Sequence, residues 1–362
     1  MIVKDAEAQI GEVLKDAAAV CDELVVVDTG SQDATKSVAA GHGANVFDFE
    51  WIDDFSAARN VAFGHCTGRW ILWLDADDRI PPEAQQGFVR LKAELLNRPE
   101  VDVVAIPYRV TFSQTDPNSC TFSYERERVV RRSAGLRWVG PVHEFIGVPG
   151  PPLRWPHAWV EHRPRSEDRG QKVDRNLRIL ERAVAGGDRS SRTLFYLGNE
   201  LRDHERCEEA LAAYREYLDG AETAVWERHS ALLSMSACAD SLGRVTRKLA
   251  FLHEAVQLDC TRAEAFMRLG LHHYHLREWA QAAPFFAAAS ALSRPTEGFI
   301  DDTAYTWGPW DYLAVCHSEL GMFEEALQET VKALRWSDDR PRLFANMGFY
   351  LDKLRSTDVK RE

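Results

Sequence analysis

Three carboxylates, Asp75, Asp77 and Asp78, fall within four positions directly after the apolar run Ile71-Leu72-Trp73-Leu74. In an open parallel sheet, ligands bind just beyond the carboxyl ends of strands. Asp75 and Asp77 are two apart, so on extended backbone they point to the same side. Crowded carboxylates are costly unless a cation or donor groups compensate. A hard divalent ion such as Mg2+ or Mn2+, sharing its oxygen ligands with a diphosphate, would do so. Taken alone, the same residues also suit a solvated acidic turn ahead of the helix opened by Pro81-Pro82-Glu83.

Two further groups belong with them. Asp28 follows Val25-Val26-Val27 and precedes Thr29-Gly30-Ser31. Such an aspartate accepts hydrogen bonds from a ribose or a base, or else closes an Asx-type turn. Arg59 and Asn60 follow Asp53-Asp54-Phe55-Ser56-Ala57-Ala58 and fall in the first turns of a helix. The helix dipole disfavours a cation there. Arg59 therefore faces an anion or pairs with an acid, with Asp53 and Asp54 nearest in sequence.

The elements that must hold these groups are legible as alternating strands and helices. Leu24–Val27 and Trp70–Leu74 read as strands covered on both faces. Ala44–Phe47 and Val101–Phe112 read as two more, with helices over Phe55–Cys66 and from Pro81-Pro82 to Leu96. Ser31 is a candidate cap for a helix beginning near Asp33. This order predicts an α/β domain over residues 1–165 with a mostly parallel, three-layer sheet.

From residue 166 to 362 the pattern is helical alone. Phrases built as a helix, a glycine-containing turn, acidic residues and an alanine recur. They include Tyr196-Leu197-Gly198 with Glu208-Glu209-Ala210, Met267-Arg268-Leu269-Gly270 with Ala280-Gln281-Ala282, and Leu320-Gly321 with Glu324-Glu325-Ala326. Ser241-Leu242-Gly243 with Ala250 is a weaker copy. Equating Ala210, Ala250, Ala282 and Ala326 gives spacings scattered about the ~34 of tetratricopeptide repeats. Pro295–Gly308 reads as a loop insertion, and Pro341–Arg355 as a capping helix. Leu271-His272-His273-Tyr274-His275 is poorly spaced for a metal site and suits helix packing. Such repeats supply a scaffold or a binding surface and no chemistry of their own.

The motifs at Met1–Asp5, Val27–Ser31, Asp54–Asn60 and Trp73–Asp78 resemble family-2 inverting glycosyltransferases of the GT-A fold. More narrowly, the chain is similar to the bacterial branch that joins this domain to tetratricopeptide repeats, which includes peptide S-glycosyltransferases of the sublancin type. The resemblance implies a nucleotide-diphospho-sugar donor, most often a UDP-sugar, with Mn2+ or Mg2+, and a peptide or protein acceptor. It implies Asp5, Asp28, Arg59 and Asn60 at the donor, Asp75 near the ribose or metal, and Asp77 on the metal. Val142-His143-Glu144 resembles a motif of the branch. An inverting transfer needs one base. Glu144 between apolar residues is the first candidate, because desolvation raises a carboxyl's pKa; Asp78 is the second. His162 would complete the metal shell, although Arg163-Pro164-Arg165 replaces the Gly and Tyr usual after it. Lys172 and Arg175-Asn176 also match, and either cation would reach the diphosphate. The competing expectation is an inactive sugar-nucleotide-binding domain on a repeat scaffold.

Composition narrows the partners. The formal charge is -12, with 45% hydrophobic and 28% charged residues. That surface repels phosphate backbones, so nucleic acid is not an expected partner. No apolar run reaches the ~18 residues of a membrane span. Seven scattered cysteines without a C-x-x-C pair argue against a disulfide framework or a zinc site, and for a cytoplasmic setting. Nothing in the pattern speaks to oligomeric state.

Overall fold

A computed structural model describes residues 1–112, 120–148, 150–164, 169–220 and 223–358, and of residues 121, 169–173 and 357–358 the backbone alone. The chain forms two compact units, Met1–Asp188 and Arg189–Glu362.

The first unit opens with β1 (Ile2–Val3), α1 (Ile10–Ala18), β2 (Val25–Asp28), α2 (Thr35–Gly41), β3 (Asn45–Asp48) and α3 (Phe55–His65). Strands β1, β2 and β3 pair in parallel in that order. All of β2 is buried, which is why its sequence is a continuous valine run. One face packs on Ile10, Leu14 and Ala39. Ser31 does not cap α2: its Oγ accepts from the Asp5 N–H, and Asp33 Oδ1 accepts from the Thr35 N–H at 2.9 Å instead.

The remaining strands are β4 (Trp70–Leu72), β5 (Asp78–Arg79), β6 (Val103–Phe112), β7 (Cys120–Arg131), β8 (Trp138–Val139), β9 (Phe145–Ile146), β10 (Leu153–Arg154) and β11 (Val160–His162). Helix α4 (Pro82–Leu96) follows β5. A second sheet has the order β4-β7-β6-β11-β5, with β10 beside β6. The β4–β7, β6–β7 and β5–β11 pairs are antiparallel, so the domain is mixed α/β, and its wholly parallel part ends at Asp48. Strand β7 carries Glu125-Arg126-Glu127-Arg128, a charged run without the apolar alternation of a half-buried strand; its ladder to β6 makes it one. The core beneath joins Val13 and Ala17 of α1, Phe88 and Leu91 of α4, Ile106 and Val160.

Helix α5 (Arg169–Ala185) belongs to this unit, so the division lies beyond the change of pattern at 165. Arg178 and Arg182 reach back to the Asp53 carboxylate at 3.1 and 2.9 Å and tie α5 to the domain.

The second unit is a run of helical hairpins: α6 (Ser191–Asp203) with α7 (Cys207–Asp219), α8 (Val225–Ser241) with α9 (Val245–Leu258), α10 (Ala263–His275) with α11 (Trp279–Ser290), and α12 (Trp307–Glu319) with α13 (Phe323–Ala333). Helix α14 (Arg340–Asp358) follows. Each hairpin places a left-handed residue two positions before its second helix: Glu205, Gly243, Arg277 and Gly321. Gly198 and Gly270, which the sequence suggested as turn residues, lie inside α6 and α10. A Cβ there would meet the ring of Tyr214 or Phe286 at 2.6 Å, so these glycines let the paired helices close. Ala210, Ala282 and Ala326 are fully buried at one position of the second helices. Ala250 is exposed; the equivalent residue, counted from the start of α9, is Lys248, which pairs with Asp240. His273 bonds Glu278 and stacks on Phe285, as packing rather than ligation predicts.

Candidate active site

Arg59 is the hub of the site. Helix α3 starts at Asp54, whose side chain accepts from the Ala57 N–H, and this fixes the phase that turns Arg59 inward. Its Nε donates to Glu144 at 2.6 Å and its Nη2 to Asp75 at 2.7 Å. The guanidinium lies 5.1 Å from the Trp73 ring and 4.8 Å from the Trp138 ring. The acids that satisfy it are thus distant in sequence, not the neighbouring Asp53 and Asp54. Burial works against the charge of Arg59, but Asp75 and then Glu144 outweigh it and raise its pKa. Burial likewise pushes the Asp75 carboxyl up, while Arg59, followed by Arg128, pulls it well below the usual range. Glu144 is therefore held by an arginine rather than isolated among apolar neighbours.

Asp75 and Asp77 do not share a face. The Asp78 N–H donates to the Asp75 carbonyl at 3.1 Å, closing a turn over Ala76 and Asp77. This sends Asp75 to Arg59 and Asp77 toward His162. The Asp75 N–H donates in turn to Asp78 Oδ2 at 2.9 Å, so the two groups form one structure.

Asp78 is fully buried. Its Oδ2 accepts from Arg128 Nη1 at 2.7 Å and its Oδ1 from the Tyr108 hydroxyl at 2.9 Å. Burial pushes Asp78 up, and Arg128 opposes it. A carboxylate enclosed in this way has no path to an acceptor proton, which removes it as a candidate base. Arg128 stacks 3.8 Å from Trp73 and 4.2 Å from Tyr108. Tyr108 stays a donor, because burial and then Asp78 push its hydroxyl up.

The pairing of β11 with β5 sets His162 opposite Asp78. The Arg163 N–H donates to the Asp77 carbonyl at 2.8 Å and pins the turn to the end of β11. His162 Nδ1 lies 3.6 Å from Asp77 Oδ1 and 4.0 Å from Asp78 Oδ1. It is buried and lacks a hydrogen-bond partner. Ligand atoms of Asp77, Asp78 and His162 lie within 4.8 Å of one another. One imidazole nitrogen with carboxylate oxygens suits Mn2+ or Mg2+, and an orphaned buried nitrogen is what a missing ligand partner leaves, so these residues fit a divalent ion.

The other expected donor residues make bonds of their own outside these two networks. Asp28 and Asp5 sit at the ends of β2 and β1. Asp28 Oδ1 accepts from the Gly30 and Ser31 N–H groups at 2.9 and 2.8 Å, the Asx-type turn, while its buried Oδ2 has no partner. Asp5 Oδ1 accepts from the Gln32 N–H. Asn60 spends its amide on β8, donating to the Trp138 carbonyl at 3.0 Å and accepting from the Trp138 N–H at 2.9 Å. Arg175 stacks on Phe55 at 4.7 Å, and burial lowers its pKa against the pull of Glu144. The Lys172 side chain falls outside the described residues. A cavity of about 620 Å³ runs beside the site; its wall is mostly apolar, with Met1, Phe63, Trp70, Leu72, Phe88 and Leu95, it carries Asp22, Glu23, Arg69 and Lys92 as well, and it reaches the network above at Arg59 and Trp73.

Arg128, Tyr108, Trp73 and Trp138 were not singled out by sequence. The available signal was period two: Arg126 and Arg128 alternate with glutamates, and both arginines stack on Trp73.

Residues 1–142 match the model of glycosyl transferase family 2. A TPR repeat-containing protein of Synechococcus elongatus is 36% identical over 40% of this chain and 34% of its own. Glycosyltransferase SunS of Bacillus phage SPbeta is 25% identical over 63% of this chain and 54% of its own. The chain thus spans between about a third and about half of these relatives. A MamA crystal structure overlaps 45% of this chain and 81% of its own at 16% identity and a TM-score of 0.36. Residues 1–142 thus carry the family-2 glycosyltransferase domain, and the run of helical hairpins further along the chain is tetratricopeptide-like.

Proposed function

We propose that the chain transfers a glycosyl group, with inversion, from a nucleotide-diphospho-sugar, a UDP-sugar, to a peptide or protein side chain. The observation that carries this reading is the Asp77–Asp78–His162 cluster joined through one turn to the Arg59–Asp75–Glu144 network, inside a family-2 domain. Asp28 offers its unpartnered buried oxygen to the nucleoside, and Asp5 flanks it. Asp75, fixed and ionised by Arg59, faces the ribose side. Asp77 and His162 would hold Mn2+ or Mg2+, and such an ion, when bound, neutralises a diphosphate leaving group. Glu144, oriented by Arg59 through Oε1, takes the acceptor proton as the acceptor attacks the anomeric carbon. The unbridged cysteines agree with a reducing cytoplasm. Among the described residues, no helix is long and apolar enough to cross a membrane.

The test measures donor hydrolysis and transfer for the wild type and Asp77→Ala, each with and without Mn2+. Only the wild type with Mn2+ should be fast, by at least about 100-fold. Equal rates in all four samples would refute the assignment of the cluster. The anomeric configuration of the product, read by NMR, tests inversion.

A further inference from the structure

The insertion after α11 is not a free loop. Residues 295–301 cross the N-terminal ends of the first helices of three successive hairpins, at Phe195 of α6, Trp226 of α8 and Arg262, which immediately precedes α10. Arg262 is 3% exposed. Its Nη1 donates to the Glu297 carbonyl at 3.1 Å and its Nη2 to the Phe299 carbonyl at 2.8 Å. Its charge is met by Glu264 at 3.2 Å, which also accepts from the Tyr305 hydroxyl at 2.7 Å. Phe299 stacks on the buried Phe195 ring at 6.1 Å and meets the Trp226 ring edge-on at 5.6 Å. Gly298 has a φ of 93°, and a Cβ there would sit 3.0 Å from the Trp226 ring. Yet Phe299 remains 53% exposed, and residues 296–299 are all exposed.

This is how a groove holds extended peptide. A buried arginine takes two alternate main-chain carbonyls, whatever the sequence, and an aromatic seat takes one side chain. The clearance over Trp226 restricts the residue before the aromatic to a small one. In the seat Phe195 and Arg262 are buried and Trp226 is half-buried, whereas the occupant Phe299 is half in water.

We propose that Phe195, Trp226 and Arg262 form a docking site for an extended peptide carrying a small residue followed by an aromatic one, and that residues 297–299 fill it as an internal stand-in that such a peptide displaces. That the peptide is the sugar acceptor rests on the function proposed above; the docking site itself does not.

The experiment uses a fluorescein-labelled peptide with the sequence of residues 295–301, Pro-Thr-Glu-Gly-Phe-Ile-Asp, and reads anisotropy with no nucleotide sugar present. Phe299→Ser empties the seat in the full chain. It should bind the peptide at least ten-fold more tightly than the wild type, and a peptide with serine in place of the phenylalanine should bind at least ten-fold more weakly. If Phe299→Ser lowers the melting temperature into the assay range, Gly298→Ala, which lifts the segment off Trp226, replaces it. No binding to a folded variant, or equal binding of both peptides, would overturn the docking site. Because donor is absent, failure here leaves the transfer assay unaffected, and the reverse also holds.

Discussion

Asp78 and Arg128 form a charge pair without solvent contact, 50 positions apart in the chain. Breaking a buried pair by removing one member costs about 3–5 kcal/mol, because the survivor keeps its desolvation penalty. Arg128→Met should lower the urea midpoint accordingly, and adding Asp78→Asn should recover part of the loss; a double variant no better than the single would show that the pair is not the cause. Asn60 makes a different case. Its two bonds to Trp138 predict that Asn60→Ala costs about 1–3 kcal/mol while leaving UDP and Mn2+ affinity unchanged. A drop in UDP affinity at constant stability would instead place Asn60 at the nucleoside. At this scale Asp75 and Asp77 stood out, since polar groups at a strand end contrast with the apolar run before them, whereas His162, which the structure sets beside Asp77, came from the resemblance alone. Arg128 was not: its partner is remote, and an arginine among glutamates reads as solvated surface. The direction of Asp75 was misjudged for a local reason, a turn where extended backbone was assumed.

Helix hairpins repeat here through backbone geometry more faithfully than through residue type. Of the four equivalent left-handed positions, two carry glycine and two carry Glu205 and Arg277. A side chain in that region costs about 1 kcal/mol. Glu205→Gly and Arg277→Gly should each stabilise the helical unit by about that amount, and Gly243→Ala should destabilise it by a similar one, all read as shifts in thermal midpoint. The glycines inside α6 and α10 obey another rule. Gly198→Ala drives a methyl into Tyr214 and should cost about 1–3 kcal/mol. Sequence alone shows both kinds of glycine in similar phrases, so turn and contact glycines cannot be separated until the partner ring is known. Lys248 hid the second copy of the repeat for the same reason: a long side chain stands where the other copies have alanine.

At the scale of the whole molecule, one buried histidine of the helical unit makes folding sensitive to pH. Burial first, with Arg262 and Arg268 adding and Glu264 and Asp259 opposing, lowers the His229 pKa from 6.5 to about 4. A depressed histidine is neutral in the fold and charges more readily when unfolded. Its contribution is therefore complete above pH 6.5 and is lost as pH falls from there toward 4, by up to about 3 kcal/mol. His229→Phe should flatten that acid limb; an unchanged slope between pH 4 and 6.5 would exclude the histidine as its source. The two-part layout was visible in the switch from alternating to purely helical pattern. The position of the division was not, because it depends on Arg178 and Arg182 meeting Asp53, contacts that leave no local trace. The apolar hollow beside β4 carries a last consequence. It opens to solvent and most of its wall is apolar, so the folded protein should brighten an environment-sensitive dye such as ANS, and a dye that stays dark would show the hollow to be closed.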